Sequence, residues 1–288
     1  MGWKDPSLGA VEIGSEGKLA YHVGTFSVDI PTNEGMYGIV KYFRVRKLTT
    51  KWTTHVQNML DFYSQFVSPG KLVFDVGANI GNRTKIFLKL GAEVVAIEPQ
   101  DACVNILESL FGKNKHFTII QKVLGASEGE AELLISNANA ISSLSQDWVD
   151  AVKSSGRFAD YSWDSKERVP MTTLDRLIDI YGTPSFVKVD VEGFEYEVMK
   201  GLSKPIRFIS LEFTPEFIDS TFKCIDHLES LGDVLFNYSI GQSMQQLALD
   251  KYVTSNEMIR ILDGYRHDNR LFGHVYCQFI SGLTRPST

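Results

Sequence analysis

Apolar residues recur in two alternating rhythms along the chain. Short runs rich in β-branched and aromatic residues stand at 72–76 (LVFDV), 93–98 (EVVAIE), 117–121 (FTIIQ), 185–191 (SFVKVDV) and 207–213 (RFISLEF). Between them the apolar positions take helical spacing. One helix ends at Gly91, one carries Cys103, Ile106, Leu107 and Leu110 up to Gly112, and one carries Leu174, Leu177, Ile178 and Tyr181 before Gly182 and Pro184. Strands alternating with helices predict an α/β fold with a mostly parallel, doubly wound sheet. Runs at 234–239 and 274–280 supply a sixth and a seventh strand, expected to pair antiparallel at the sheet edge. Thr214–Pro215 and the Thr254/Glu257 capping box mark two further helix starts.

Upstream, Trp52, Val56, Met59, Leu60, Tyr63 and Phe66 mark an amphipathic helix, and residues 1–50 read as short strands and turns. The expected organisation is an N-terminal strand and helix appendage over 1–66 and a main domain over 67–285. An insertion over about 124–184 exceeds ordinary α/β loop lengths. Within it, AELLIS (131–136) and RVPMTTL (168–174) suit a hairpin, and 137–166 suits either a lid or acceptor-binding loop or a surface insertion. Trp148, Tyr161 and Trp163 are its aromatic anchors or a stacking surface.

The chemistry concentrates where the strands end. In open α/β sheets ligands bind beyond the carboxyl ends of the strands. The first strand runs into Gly77, Ala78, Asn79 and Gly81, a tight turn whose glycines admit close backbone approach. Glu98 ends the second strand, where an acid that grips a ribose diol belongs. A nucleoside ligand is implied. The middle glycine of the dinucleotide fingerprint is missing, and no Walker A loop is present. Asp75 repels a diphosphate and suits a ligand carrying an ammonium, which points to S-adenosylmethionine (SAM).

These residues resemble the FkbM-type family of class I SAM-dependent methyltransferases. The resemblance is carried by VFDVGANIG (73–81), AIEP (96–99), VLGASEGEAEL (123–133), ISSL (141–144) and FVKVDVEGFEYEVMKGL (186–202). It implies a Rossmann-like fold, SAM as cofactor, and O-methylation of a sugar, glycolipid, polyketide or similar small acceptor. Carried over, Asp75, Gly77, Ala78, Asn79 and Gly81 surround the methionine part, Glu98 the ribose, and Gln121 and Val123 the adenine. Ser142 and Ser143 touch the cofactor's carboxylate or the acceptor, or serve a local turn. Asp190 leads as base or orienting group, beside the cofactor as well as the acceptor, with Glu192 and Glu212 on the same rim. Asp190, Glu192 and Glu212 offer oxygen ligands to magnesium, yet Glu212 is followed by Phe213 and not by the second acid or amide of metal-dependent relatives. A divalent metal is not the favoured expectation. His274 reads as a core-strand residue.

Composition narrows the partners. The chain has 288 residues, 29 basic and 35 acidic, and a net charge of −6, which argues against a nucleic-acid footprint. Cys103, Cys224 and Cys277 are too sparse for a disulfide framework or a zinc site. With no leader-like start and no apolar stretch of membrane-spanning length, a cytoplasmic protein is expected. A non-catalytic SAM-binding module and an NAD-dependent oxidoreductase remain as alternatives, and oligomeric state is unknown.

Overall fold

The computed structural model describes residues 10–13, 19–23, 26–30, 51–241 and 246–280. Three short strands, β1 (Ala10–Ile13), β2 (Leu19–Val23) and β3 (Phe26–Ile30), pair antiparallel, with Ala10 opposite His22 and Leu19 opposite Ile30. Helix α1 (Thr54–Tyr63) follows, capped by the Thr53 side chain, which accepts a bond from the Val56 amide. Strands and helices then alternate: β4 (Leu72–Val76), α2 (Asn82–Lys89), β5 (Glu93–Ile97), α3 (Asp101–Phe111) and β6 (Phe117–Ile120). The insertion contributes β7 (Val123–Leu124), β8 (Gly129–Ile135), α4 (Gln146–Ser154) and β9 (Ser165–Thr172). Helix α5 (Leu174–Tyr181), β10 (Phe186–Val189), α6 (Glu195–Lys200), β11 (Phe208–Phe213) and α7 (Ile218–Leu231) return to the main rhythm. The described chain closes with β12 (Val234–Ile240), α8 (Ser255–Asp263) and β13 (Gly273–Phe279).

The central sheet has the order β12-β13-β11-β10-β4-β5-β6. The strands from β6 through β11 run parallel to their neighbours, whereas β13 lies antiparallel between β11 and β12. The expected antiparallel pair is present, with β13 inside the sheet and β12 alone at the edge. Chain order reverses between β4 and β10, so the fold is doubly wound and Rossmann-like. Its switch point lies beyond Val76 and Val189.

Apolar burial on both faces holds the sheet. On one face α1 and the residues after it bring Met59, Phe62, Tyr63 and Phe66 against Phe186, Phe208 and Tyr276. Phe66 stacks on Tyr276 with centroids 5.0 Å apart. On the other face α5, α7 and α8 bury Leu177, Ile225, Leu228 and Met258 against β10 and β11. Each fully buried Leu, Ile or Phe is worth about 1.5–3 kcal/mol relative to exposure. These packed faces fix where the strand ends stand.

The insertion is mostly structured. Strands β8 and β9 pair antiparallel with Ala131 opposite Val169, and β7 adds a parallel third strand. In α4, Trp148, Val149 and Val152 are buried against Leu134, Ile141 and Phe158. Trp148 and Trp163 meet edge to face at 6.3 Å. The tryptophans anchor the insertion, as the more frequent use of such residues predicts. Among the described residues no helix is long and apolar enough to cross a membrane.

Candidate functional site

A cleft of about 170 Å³ opens at the switch point. It runs from the ends of β5 and β7, across the turn after β4, to the ends of β10 and β11. Among the residues expected to act, Gly77, Ala78, Asn79, Glu98, Val123, Ser142, Asp190, Glu192 and Glu212 line it. Asp75, Gly81, Gln121 and Ser143 are not among its lining residues, and each does something else.

Asp75 is fully buried behind Val76, where its Oδ2 accepts a 2.6 Å hydrogen bond from the Thr84 hydroxyl and its Oδ1 has no partner among the described residues. Asp75, expected to support a ligand ammonium directly or through water, is not on the cleft wall, and its carboxylate ties β4 to α2. Gly81 begins α2 at φ +86°, and a Cβ there would stand 2.6 Å from Phe111 and 2.8 Å from Leu107. Its missing side chain serves helix packing. At Gly77, φ +76°, a Cβ would overlap the Asp190 carbonyl oxygen. The close approach that both glycines permit is to protein atoms: Gly77 lets the ends of β4 and β10 converge. Gln121 is exposed and donates to the Pro99 carbonyl at 3.3 Å and to the Asp101 carboxylate.

Glu98 forms one end of the site. Its Oε2 accepts from the Asn79 amide at 2.9 Å and its Oε1 from the Gln100 amide at 3.0 Å. Burial raises its pKa to about 7 against the lowering effect of those two amides. Oε1 also accepts from the Gln100 side-chain amide at 3.3 Å, so it is Oε2 that keeps lone-pair capacity for a further donor. Gln100 ties this end to the insertion, donating to the Asn139 carbonyl at 3.0 Å and accepting from the Ser142 hydroxyl at 3.2 Å.

Asp190, Glu192 and Glu212 form the other end. The strand expected to reach residue 191 stops at Val189, and Glu192 (φ +52°) and Gly193 (φ +88°) adopt left-handed backbone. Asp190 and Glu192 thus leave from a turn and do not alternate along a strand. That turn is clamped on two sides. The Glu195 carboxylate accepts from the Val191 amide at 3.0 Å, and the Ser143 hydroxyl donates to the Glu192 carbonyl at 2.6 Å. A Cβ on Gly193 would fall inside the Trp148 side chain, so α4 is seated directly against the turn.

The acids at this end titrate differently. Burial alone raises the pKa of Asp190, but the Lys188 ammonium, 2.7 Å from Oδ2, and the His274 ring outweigh it and hold the carboxyl well below the usual range. Burial pushes Glu212 the opposite way, reinforced by the charges of Asp190, Glu192 and Glu195. The two carboxyls are thus pushed in opposite directions, Asp190 toward the ionised form and Glu212 toward the protonated one. The magnesium trio read from the sequence is not what the fold assembles: Asp190 and Glu212 meet His274, and Glu192 is not part of that cluster.

The remaining wall comes from the insertion. Arg157 pairs with Glu216 at 2.7 Å, both side chains almost fully buried, and also donates to the Leu271 carbonyl. Phe158 and Phe272 line the cleft beside it. Lys188, Gln100, Arg157, Phe158 and Phe272 escaped the sequence reading, which took His274 only as a core-strand residue. Lys188 had a signal, a lysine inside an otherwise apolar strand two positions before an acid. His274 had none, because only the antiparallel register places it opposite Glu212.

The chain matches the description "Methyltransferase FkbM domain" over residues 75–235. No curated protein matches it. Among solved structures it is similar to an O-methyltransferase from Bacillus cereus in complex with SAH, at 10% identity, 87% of this chain, 92% of that chain and TM-score 0.43. It is also similar to precorrin-6y C5,15-methyltransferase from Geobacter metallireducens GS-15, at 10% identity, 82% and 88% coverage and TM-score 0.40. An rRNA methylase from Streptococcus thermophilus matches at 10% identity, 80% and 98% coverage and TM-score 0.38. None of these likenesses bears on the acceptor. The match over residues 75–235 spans more than half of the sequence: the protein belongs to the FkbM family of methyltransferases.

Proposed function

We propose that the cleft binds SAM and that the protein transfers its methyl group to a hydroxyl oxygen of a small acceptor, in the cytoplasm. The observation that carries this reading is the cleft's polarity. A buried carboxylate with spare acceptor capacity stands at one end, and two acids whose pKa values are pushed in opposite directions, Asp190 down and Glu212 up, stand at the other.

The residues present fit such a ligand. Glu98 accepts from both ribose hydroxyls, a charge-assisted pair. Val123 lies against the base and Ser142 borders it from the insertion. Gly77, Ala78 and Asn79 wrap the amino-acid end, with Asp75 acting through the turn or through a bridging water toward its unpartnered Oδ1. Ser143 fixes the turn that carries Asp190 and Glu192. Gln121 acts at a distance, holding Pro99 and Asp101 beyond Glu98.

SAM supplies a methyl carbon already activated on a sulfonium. The protein's work is alignment and exclusion of water, which in well-oriented systems contributes about 7–11 kcal/mol. Asp190 is the ionised acid and accepts the acceptor's hydroxyl hydrogen bond. Its pairing with Lys188 makes it a weak base, so it orients first and takes the proton only as the new C–O bond raises the hydroxyl's acidity. Glu212, holding its proton, donates a second hydrogen bond to the acceptor. Glu192 borders the same end from the turn. Phe158 and Phe272 supply the apolar wall, suiting a small organic acceptor, and the net charge of −6 suits a nucleic-acid backbone poorly.

The test is labelled methyl transfer into a metabolite extract, read by mass spectrometry. The expected label is in a small-molecule methyl ether. The Asp190→Asn variant is expected to bind SAM and lose about 10²- to 10⁴-fold in turnover. Label in RNA would overturn the acceptor class, and wild-type turnover in the variant would remove Asp190 from the mechanism.

A further inference from the structure

We infer that Asp190, Glu212 and His274 form a binding site for a divalent first-row transition ion of the zinc or manganese kind. Three adjacent strands present these groups at one level. Asp190 follows β10, Glu212 lies on β11, and His274 lies on β13 directly opposite Glu212 in the antiparallel register. One donor atom from each lies within 4.8 Å of the others, and His274 Nε2 stands 3.9 Å from Asp190 Oδ2.

The imidazole supplies the independent observation. His274 is 1% exposed, and neither ring nitrogen has a hydrogen-bond partner among the described residues. Buried polar groups are nearly always satisfied, and one left bare costs about 1–3 kcal/mol. An ion on Nε2 removes that deficit. Bonds of about 2.1 Å in a tetrahedral site separate donors by about 3.4 Å, so from donor separations that lie within 4.8 Å, closure asks for approaches of up to about 1.4 Å.

The donor set decides the kind of ion. Metal binding displaces the proton that Glu212 holds in the metal-free cleft, and one nitrogen and two carboxylates then favour zinc, manganese or cobalt, whereas magnesium and calcium take all-oxygen shells. Lys188 already sits on Asp190 Oδ2 at 2.7 Å. A carboxylate offers about four lone-pair positions, so this bond coexists with a metal and orients the ligand from outside, as second-shell partners do. Asp190 and Glu212 line the cleft, so the ion's free positions face the acceptor. Three protein ligands with an open position is the pattern of a catalytic site.

The experiment uses the full chain stripped with chelator and no SAM, so its outcome is independent of cofactor binding. Cobalt(II) is the spectroscopic probe, and zinc, manganese and magnesium are titrated by calorimetry. A single equivalent of cobalt is expected, with visible ligand-field bands, and zinc or manganese should bind more tightly than magnesium. His274→Ala and Glu212→Gln should each weaken binding by at least about tenfold, since loss of mere outer-shell partners costs 10- to 100-fold. Circular dichroism establishes that each variant is folded, and either variant suffices. Failure of the stripped wild-type protein to take up cobalt or zinc overturns the inference. So does binding that a folded variant leaves unchanged, which would place the ion elsewhere, such as on one of the buried cysteines.

Discussion

Glu98 and His274 are opposite cases at the scale of the single residue. Glu98 was legible because its place is local in sequence: a strand end one βα unit after a glycine turn. His274 was not, because its meaning comes from a strand pairing that no periodicity specifies. Gly77 and Gly81 were legible as positions, and the fold adds a reason that the sequence did not show, since their missing Cβ atoms make room for Asp190 and for Phe111 and Leu107. Glu98 also carries a testable consequence. Ribose hydroxyls donate, so the ionised carboxylate is the form that binds both. With its pKa raised to about 7 by burial, affinity for SAM should increase as pH rises through neutrality. Glu98→Gln cannot ionise, so it should flatten that profile. Hydrogen bonds to charged groups are worth about 1.5–3 kcal/mol, which corresponds to a loss of roughly 10- to 100-fold in affinity. Equilibrium dialysis across pH checks both parts, and an unchanged dissociation constant in the variant would refute the role.

Most elements follow directly from sequence rhythm. Strand β4 occupies the residues that its apolar run marks, and α5 spans its four marked positions up to Gly182. The end of β10 departs from expectation because Glu192 and Gly193 take left-handed backbone, a choice enforced by Glu195, Ser143 and Trp148 from outside the strand. The insertion was read as a hairpin plus an undecided stretch. Its helix α4 is too short for a decisive pattern, and tertiary contacts stabilise it. Trp148 is the key contact, 1% exposed and seated against Gly193. Trp148→Ala should cost about 3–5 kcal/mol, the usual range for emptying an aromatic core position. It should also raise the KM for the acceptor more than the dissociation constant for SAM, since α4 borders the Asp190 end and not Glu98. Denaturant titration and steady-state kinetics measure the two effects. A loss below about 1 kcal/mol would mean that the insertion is not anchored there.

The whole molecule concentrates buried acids at one rim of its sheet, and stability should register this. Burial raises the pKa of Glu98 and of Glu195 from 4.5 to about 7, and raises that of Glu212 well above its ordinary value with help from its acidic neighbours. An acid whose folded pKa exceeds its unfolded value binds more protons in the native state, so stability falls as pH rises between the two values. Buried His274 has a lowered pKa and works in the opposite direction below its ordinary value of 6.5. With Asp75 also raised by burial, four acids outweigh it and the likewise lowered His55. Without ligand the protein should therefore melt at a lower temperature at pH 7.5 than at pH 5.5, read by calorimetry across buffers of matched ionic strength, and a rise across this window would contradict the buried-acid description.

The cleft's acids suit the cationic nucleoside proposed to occupy it. Isothermal calorimetry of the purified protein with SAM and its demethylated product tests this most directly. Saturable binding of both at a single site, with no uptake of a pyridine dinucleotide, is the predicted result. Tight binding of the dinucleotide and none of SAM would contradict it.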